Sequence, residues 1–189
     1  MEANATVRSA VGADCAAIAD IYNYYVLHDT CTYQEIPDLI EDREKWFKDH
    51  GPQHPVIVAE ADGRVVGWAS LSPYHRRSAY RFTVENSIYL HPDWRQRGIG
   101  SRLLCELILR AKALGHRTII AGVSSEQAGS IKIHENFGFV KSAISRQSAS
   151  NSPNGSTSSI SSSNSSRKRN PWLTQISPAR NSSSPCAGE

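Results

Sequence analysis

The sequence predicts an α/β (α+β) fold, a mixed central sheet flanked by helices, and three stretches carry that expectation. HPVIVAEADGRVVGWASL places two apolar runs either side of Asp62-Gly63, a dipeptide that favours a tight hairpin. A long apolar run from about Tyr80 to Leu90 passes through a glycine-containing turn into a helical pattern. TIIAGV then leads into a further helix ending near Phe137. At 189 residues and 39% hydrophobic content, the chain can bury a core without help from disulfides.

The elements follow in order. VRSAV (7–11) reads as a short strand. Ile18, Ile21, Tyr22, Tyr25 and Val26 recur at helical spacing, with Asp14 available as a cap. A polar helix is expected over Leu39 to Asp49, followed by the hairpin and the long strand. Ile99, Leu103, Leu104, Leu107, Ile108 and Ala111 mark one face of the next helix, which Gly115 closes. The strand TIIAGV (118–123) and a last helix stopped by Gly138 come next, and FVKSAI opens one more strand.

Composition divides the chain in two. Eleven of the 19 residues from Ser148 to Ser166 are serine, a composition too poor in apolar side chains to offset the entropy of ordering. A domain over 1–147 and a disordered, basic, Ser-rich tail over 148–189 are therefore expected. Residues 142–189 carry five basic side chains against Glu189, so the net +3 of the chain belongs to the tail. RKRN within it is a weak signal for a nuclear address or a nucleic-acid contact. Cys15, Cys31, Cys105 and Cys186 form no CxxC pair and no metal-spaced cluster, which suggests neither a zinc site nor a disulfide framework. No basic segment followed by an apolar run opens the chain, and no eighteen apolar residues are consecutive, so neither a signal peptide nor a membrane span is expected.

Two features suggest chemistry. In LHPDWRQRGIGSRLL, Arg95, Arg97, Gly98 and Gly100 fall where a strand ends and a helix begins. Glycines admit close backbone approach, and the unpaired N–H groups of a first helical turn suit a phosphate. The loop is neither a Walker A motif nor a dinucleotide fingerprint. In TVENSIYL (83–90), Glu85 and Asn86 interrupt an otherwise apolar strand. A carboxylate there either points to solvent or accepts a proton.

Together with CTYQEIP, SPYHRRSAYRFTVENSIYL and SIKIHENFGFV, these stretches make residues 7–147 similar to the GNAT N-acetyltransferase superfamily, and in particular to its phosphinothricin and methionine sulfoximine acetyltransferase group. The resemblance implies acetyl-CoA as co-substrate and no metal. It implies that Arg95, Gln96, Arg97, Gly98, Ile99, Gly100 and Ser101 form the loop holding the cofactor pyrophosphate, and that Ile88, Tyr89 and Leu90 pair with pantetheine. Gln127, where relatives often carry Asn, and Ser130 are the further cofactor contacts. Glu85 matches the general base, and His134 stands at the position of a general acid, although an imidazole could equally assist amine deprotonation. Tyr33, Arg77 and Tyr80 are implied at the acceptor, with Arg77 suited to a carboxylate or phosphinate. Relatives continue into further C-terminal strands, whereas this resemblance fades near Arg146, so an incomplete end to the sheet is expected.

The function expected is transfer of an acetyl group to the free amine of a small amino acid or analogue by direct attack. The alternatives are a catalytically impaired binding or regulatory protein and a protein or peptide N-acetyltransferase. A cytoplasmic location, a homodimer weakened by missing strands, and no membrane or nucleic-acid partner complete the expectations.

Overall fold

The computed structural model describes residues 5–29, 31–32, 34–124, 126–141 and 174–175. Strand β1 (Thr6–Ser9) leads through a 3-10 turn into helix α1 (Cys15–His28), followed by α2 (Ile40–Asp49). The hairpin β2 (Val56–Ala61) and β3 (Arg64–Pro73) precedes β4 (Thr83–Leu90), α3 (Ile99–Ala113), β5 (Thr118–Ala121) and α4 (Ala128–Asn136). The sheet runs in sequence order from β1 to β5. All pairs are antiparallel except β4 with β5, which makes it mixed as expected. Two residues of β6 (Val140–Lys141) pair antiparallel with β7 (Thr174–Gln175) in a separate small sheet. The rest of the tail expected to be disordered lies outside the described residues.

Local chemistry explains where elements start and stop. The hairpin turn places Asp62 and Gly63 at φ 52° and 70°, the paired positive values that an Asp-Gly turn accommodates. Gly115 and Gly138 end their helices at φ 80° and 83°. Asp14 does not cap α1 through its side chain. Its carboxylate turns back to the Arg8 guanidinium at 2.7 and 2.9 Å and accepts the Val11 N–H at 2.8 Å. The arginine holds that carboxyl below the usual aspartate range. β4 begins at Thr83 rather than Tyr80, because Ser78–Tyr80 forms a 3-10 turn in which the Tyr80 N–H donates to the Arg77 carbonyl at 2.9 Å. One cysteine departs from expectation: Cys105 on α3 is disulfide-bonded, while Cys15 and Cys31 are free thiols.

Two apolar layers clamp the sheet. On one face α3 presents Leu103, Leu104 and Leu107, all fully buried, against Ile57, Ala69, Leu71 and Val84. Each such side chain contributes about 1.5–3 kcal/mol through burial. On the other face Ile18, Ile21 and Tyr25 of α1 pack on Val58 and Trp68, with Trp46 and Phe47 of α2 closing the layer. Because strand side chains alternate, β4 serves both layers: Val84 faces α3, and Tyr89 joins the aromatic cluster under α1. No helix is long and apolar enough to cross a membrane among the described residues.

Candidate active site

The site is built by a divergence of strands. β4 pairs with β5 from Thr83↔Thr118 to Asn86↔Ala121, where the described pairing ends, yet β4 runs on to Leu90. Ser87 to Leu90 thus extend beyond the fork, an edge of four residues that spans roughly 13 Å. A cavity of about 1090 Å³ opens along it, with Glu85 and His134 near the fork and Gln96 and Gly100 at the far end.

At that far end the backbone is shaped for an anion. Gly98 is the N-cap of α3 in the left-handed region at φ 77°, and Gln96 also has a positive φ of 59°. A left-handed residue at a helix start turns successive N–H groups toward one concavity, where the helix dipole adds positive potential. A Cβ on Gly98 would meet nothing within 4 Å, so backbone conformation alone calls for glycine there. Gly100 differs. A Cβ on it would stand 3.3 Å from Ile133 Cδ1 and 3.6 Å from Leu90 Cδ1, so glycine keeps the helix start close to the strand end. Ile99 is 1% exposed and has its side chain in the core.

The two arginines of this turn are engaged differently. Arg95 Nε donates to Tyr25 Oη at 3.3 Å, and Tyr25 Oη in turn donates to the Leu90 carbonyl at 2.7 Å. This ties the strand end to α1. Arg97 lies over the Trp94 ring at 4.7 Å. Gln127 Nε2 donates to both carboxylate oxygens of Asp29, at 3.0 and 2.9 Å, joining the loop before α4 to the end of α1.

At the fork, Glu85 opens onto the cavity, and the surrounding wall desolvates its carboxylate and raises its pKa above the ordinary glutamate value. Gly122 follows the end of β5, and a Cβ on it would lie 3.3 Å from Glu85 Oε1. The absent side chain gives the carboxylate room. Asn86 points to the other face, where its Nδ2 donates to His134 Nε2 at 3.0 Å. His134 Nδ1 donates to the Ser130 carbonyl at 2.8 Å, a bond that assigns the proton to Nδ1 and leaves Nε2 as acceptor. Burial lowers the His134 pKa, which favours this neutral form.

The fold therefore brings Glu85, Ile88, Tyr89, Leu90, Arg95, Gln96, Gly100, Gln127, Ser130 and His134 to one cavity. Arg97, Gly98, Ile99 and Ser101 belong to the turn at its end without lining it. Arg77 and Tyr80 are exposed on the loop before β4 and do not line the cavity. Tyr80 instead packs edge-on against Tyr74, a lining residue, at 5.8 Å. Tyr33 lies outside the described residues. Sequence reasoning did not assign Trp68, Ser70 or Arg43 to the site, all of which line it. Their shared location depends on strand register and on the packing of α2.

The model of the Acetyltransferase (GNAT) family matches residues 18–139. This chain belongs to that family. A methionine sulfoximine/methionine sulfone acetyltransferase of Salmonella typhimurium is 37% identical over 139 residues, 73% of this chain and 81% of that protein. A phosphinothricin N-acetyltransferase of Alcaligenes faecalis is 38% identical over 141 residues, 74% and 72% of the two. Among solved structures, the yncA protein of Salmonella typhimurium with its cofactor acetyl-CoA superposes with a TM-score of 0.78 at 31% identity, covering 97% of this chain and 99% of that one. A phosphinothricin acetyltransferase of Sinorhizobium meliloti in complex with acetyl-CoA gives 0.75 at 35% identity, covering 93% and 85%. The GNAT fold and an acetyl-CoA-dependent N-acetyltransferase activity follow from this membership, and the forked sheet with its glycine turn fits that co-substrate.

Proposed function

We propose that the chain transfers the acetyl group of acetyl-CoA to the free amine of a small amino acid or analogue, of the methionine sulfone, methionine sulfoximine or phosphinothricin type. The observation that carries this reading is the fork itself. It offers an unpaired strand edge between an anion-shaped turn and a desolvated carboxylate. Acetyl-CoA supplies an activated thioester. The Arg95–Ser101 turn holds its diphosphate by backbone N–H groups, the edge Ile88 to Leu90 pairs with its extended arm, and Gln127 and Ser130 border that arm.

Glu85 accepts the amine proton. An amine near pKa ~8 and an ordinary Glu near ~4.3 differ by roughly 5 kcal/mol, and the raised pKa of Glu85 narrows that gap. His134 is better suited to holding Asn86 and the α4 backbone than to protonating the departing sulfur, because it is neutral and both ring nitrogens are engaged. Tyr80 packs on Tyr74, which lines the cavity, and this contact supports a role for the loop carrying Arg77 and Tyr80 at the acceptor. A cytoplasmic setting and a homodimer complete the reading. Ile36, Leu39 and Ile40, each at least half exposed, leave apolar surface for a second copy, and sedimentation that gives a monomer at all concentrations contradicts it.

The test is acetyl-CoA consumption by the full chain across a panel of amino acids and analogues. A peptide acceptor belongs in the panel, because a ribosomal-protein-alanine N-acetyltransferase of Brucella melitensis superposes with a TM-score of 0.74 at 30% identity. Turnover with small amino acids or their analogues supports the reading. Turnover with the peptide alone replaces it.

A further inference from the structure

A side-chain bridge closes what the backbone leaves open at the fork. Among the described residues, the pairing of β4 with β5 ends at Asn86↔Ala121, and beyond it each prong is tied to one partner of the bridge. On the β4 side, Tyr25 of α1 donates to the Leu90 carbonyl at 2.7 Å and packs on the Tyr89 ring at 5.2 Å, and Asp29 follows one turn later as the C-cap of α1. On the β5 side, Gly122, Val123 and Ser124 line the cavity and lead to Gln127, the N-cap of α4. Gln127 Nε2 donates to Asp29 Oδ1 at 3.0 Å and to Asp29 Oδ2 at 2.9 Å, across 98 residues of sequence.

Both ends of the bridge are anchored. The Asp29 N–H donates to the Tyr25 carbonyl at 3.0 Å, and Asp29 Oδ1 also accepts the Cys31 N–H at 3.0 Å. The Gln127 N–H donates to the Ser124 carbonyl at 3.0 Å, and the Gln127 carbonyl accepts the Ile131 N–H at 3.0 Å. A fixed backbone on each side lowers the entropy lost in holding the pair.

The chemistry of Asp29 also sets the orientation of the amide. A carboxylate only accepts hydrogen bonds, so it takes the Nε2 end of Gln127 and leaves Oε1 as the end that can meet a ligand. Gln127 itself lines the cavity, whereas Asp29 does not, so Asp29 acts on a ligand through Gln127. The arm of acetyl-CoA carries amide N–H groups, and such donors need acceptors once they leave water.

We propose that Asp29 is a positioning residue for acetyl-CoA: through Gln127 it joins the two prongs of the fork and presents Gln127 Oε1 to an amide N–H of the arm. This inference rests on the course of the arm along Ile88 to Leu90 proposed above.

The test measures acetyl-CoA affinity by calorimetry and its dissociation rate by stopped flow, in the full chain and in Asp29→Ala, Gln127→Asn and the double variant Asp29→Glu/Gln127→Asn. Asp29→Ala removes the bridge. Gln127→Asn shortens it by about 1.5 Å, beyond hydrogen-bond reach, and the double variant returns the lost methylene from the other side. Each single variant weakens binding about five- to tenfold, chiefly through faster dissociation, and the double variant recovers to within about twofold of wild type. Adenosine 3′,5′-bisphosphate, which has the nucleotide end and no arm, is the control probe. Its affinity stays within about twofold of wild type in every variant, because the bridge acts on the arm alone. Wild-type acetyl-CoA affinity in both single variants, or a double variant no tighter than Gln127→Asn, overturns the role of Asp29 and leaves the acetyltransferase reading intact. Equal losses for the nucleotide and for acetyl-CoA also overturn it, assigning the pair to folding alone. A wild type that does not bind acetyl-CoA overturns both.

Discussion

Asn86 Nδ2 stands 3.0 Å from His134 Nε2, and this pair joins the fork of the sheet to α4. The imidazole is buried and neutral, with its pKa lowered by desolvation. A histidine whose folded pKa lies below its unfolded value contributes stability that is present above the unfolded pKa, near ~6.5, and is lost as pH falls toward the folded value. Asn86→Asp places a carboxylate beside the ring and raises the His134 pKa. The acid-side loss of stability between about pH 7 and pH 5 is then reduced or reversed. Urea midpoints across that range check it, and slopes equal to wild type contradict the pairing. Asn86→Ala leaves Nε2 unpaired and costs about 1–3 kcal/mol at neutral pH.

Glu85 carries the opposite sign. Its raised pKa means that the folded chain holds the proton more tightly than the unfolded chain. The stability this adds is present at acid pH and is lost as pH rises through the folded pKa. Glu85→Gln therefore raises Tm relative to wild type at about pH 8 and not at about pH 4, while kcat/KM falls by about 10²- to 10⁴-fold. A variant with wild-type activity removes Glu85 from the mechanism.

Gly98→Ala separates backbone conformation from crowding. The added methyl meets open space, but φ 77° disfavours any L side chain, at a cost of about 1–2 kcal/mol. The variant remains folded and binds acetyl-CoA more weakly than wild type. Gly100→Ala must instead displace Ile133, and titration calorimetry with thermal melts distinguishes the two effects.

Tyr25→Phe removes the hydroxyl that bridges Arg95 Nε and the Leu90 carbonyl. The expected loss is about 0.5–1.5 kcal/mol of stability, with a larger rise in KM for acetyl-CoA than change in kcat, because the displaced elements border the cofactor end of the cleft. An unchanged KM for acetyl-CoA contradicts that placement.

Much of this was legible in residues that act locally. Asp62-Gly63 announces the hairpin, and Ile99 to Ala111 announce the buried face of α3, because turn chemistry and helical period depend on near neighbours. Gly98 and Gly100 announce the strand-to-helix junction for the same reason, and Gly98 takes a left-handed φ there. What depends on register was not legible. Asn86 stood out as an anomaly in its strand, but its partner is 48 residues away. Trp68 and Ser70 read as ordinary strand residues until β3 is aligned with β4 and Arg43 is laid over them. The start of β4 moved from Tyr80 to Thr83 because a 3-10 turn competes with the strand, a choice that apolar content alone does not report.

The most direct measurement is calorimetric titration of acetyl-CoA into the full-length chain. A forked sheet with a left-handed glycine at the start of α3 predicts saturable binding of one acetyl-CoA per chain, with a dissociation constant between about 1 μM and 1 mM. No measurable association with well-folded protein would contradict the assignment of that cleft, and with it every role given to Glu85.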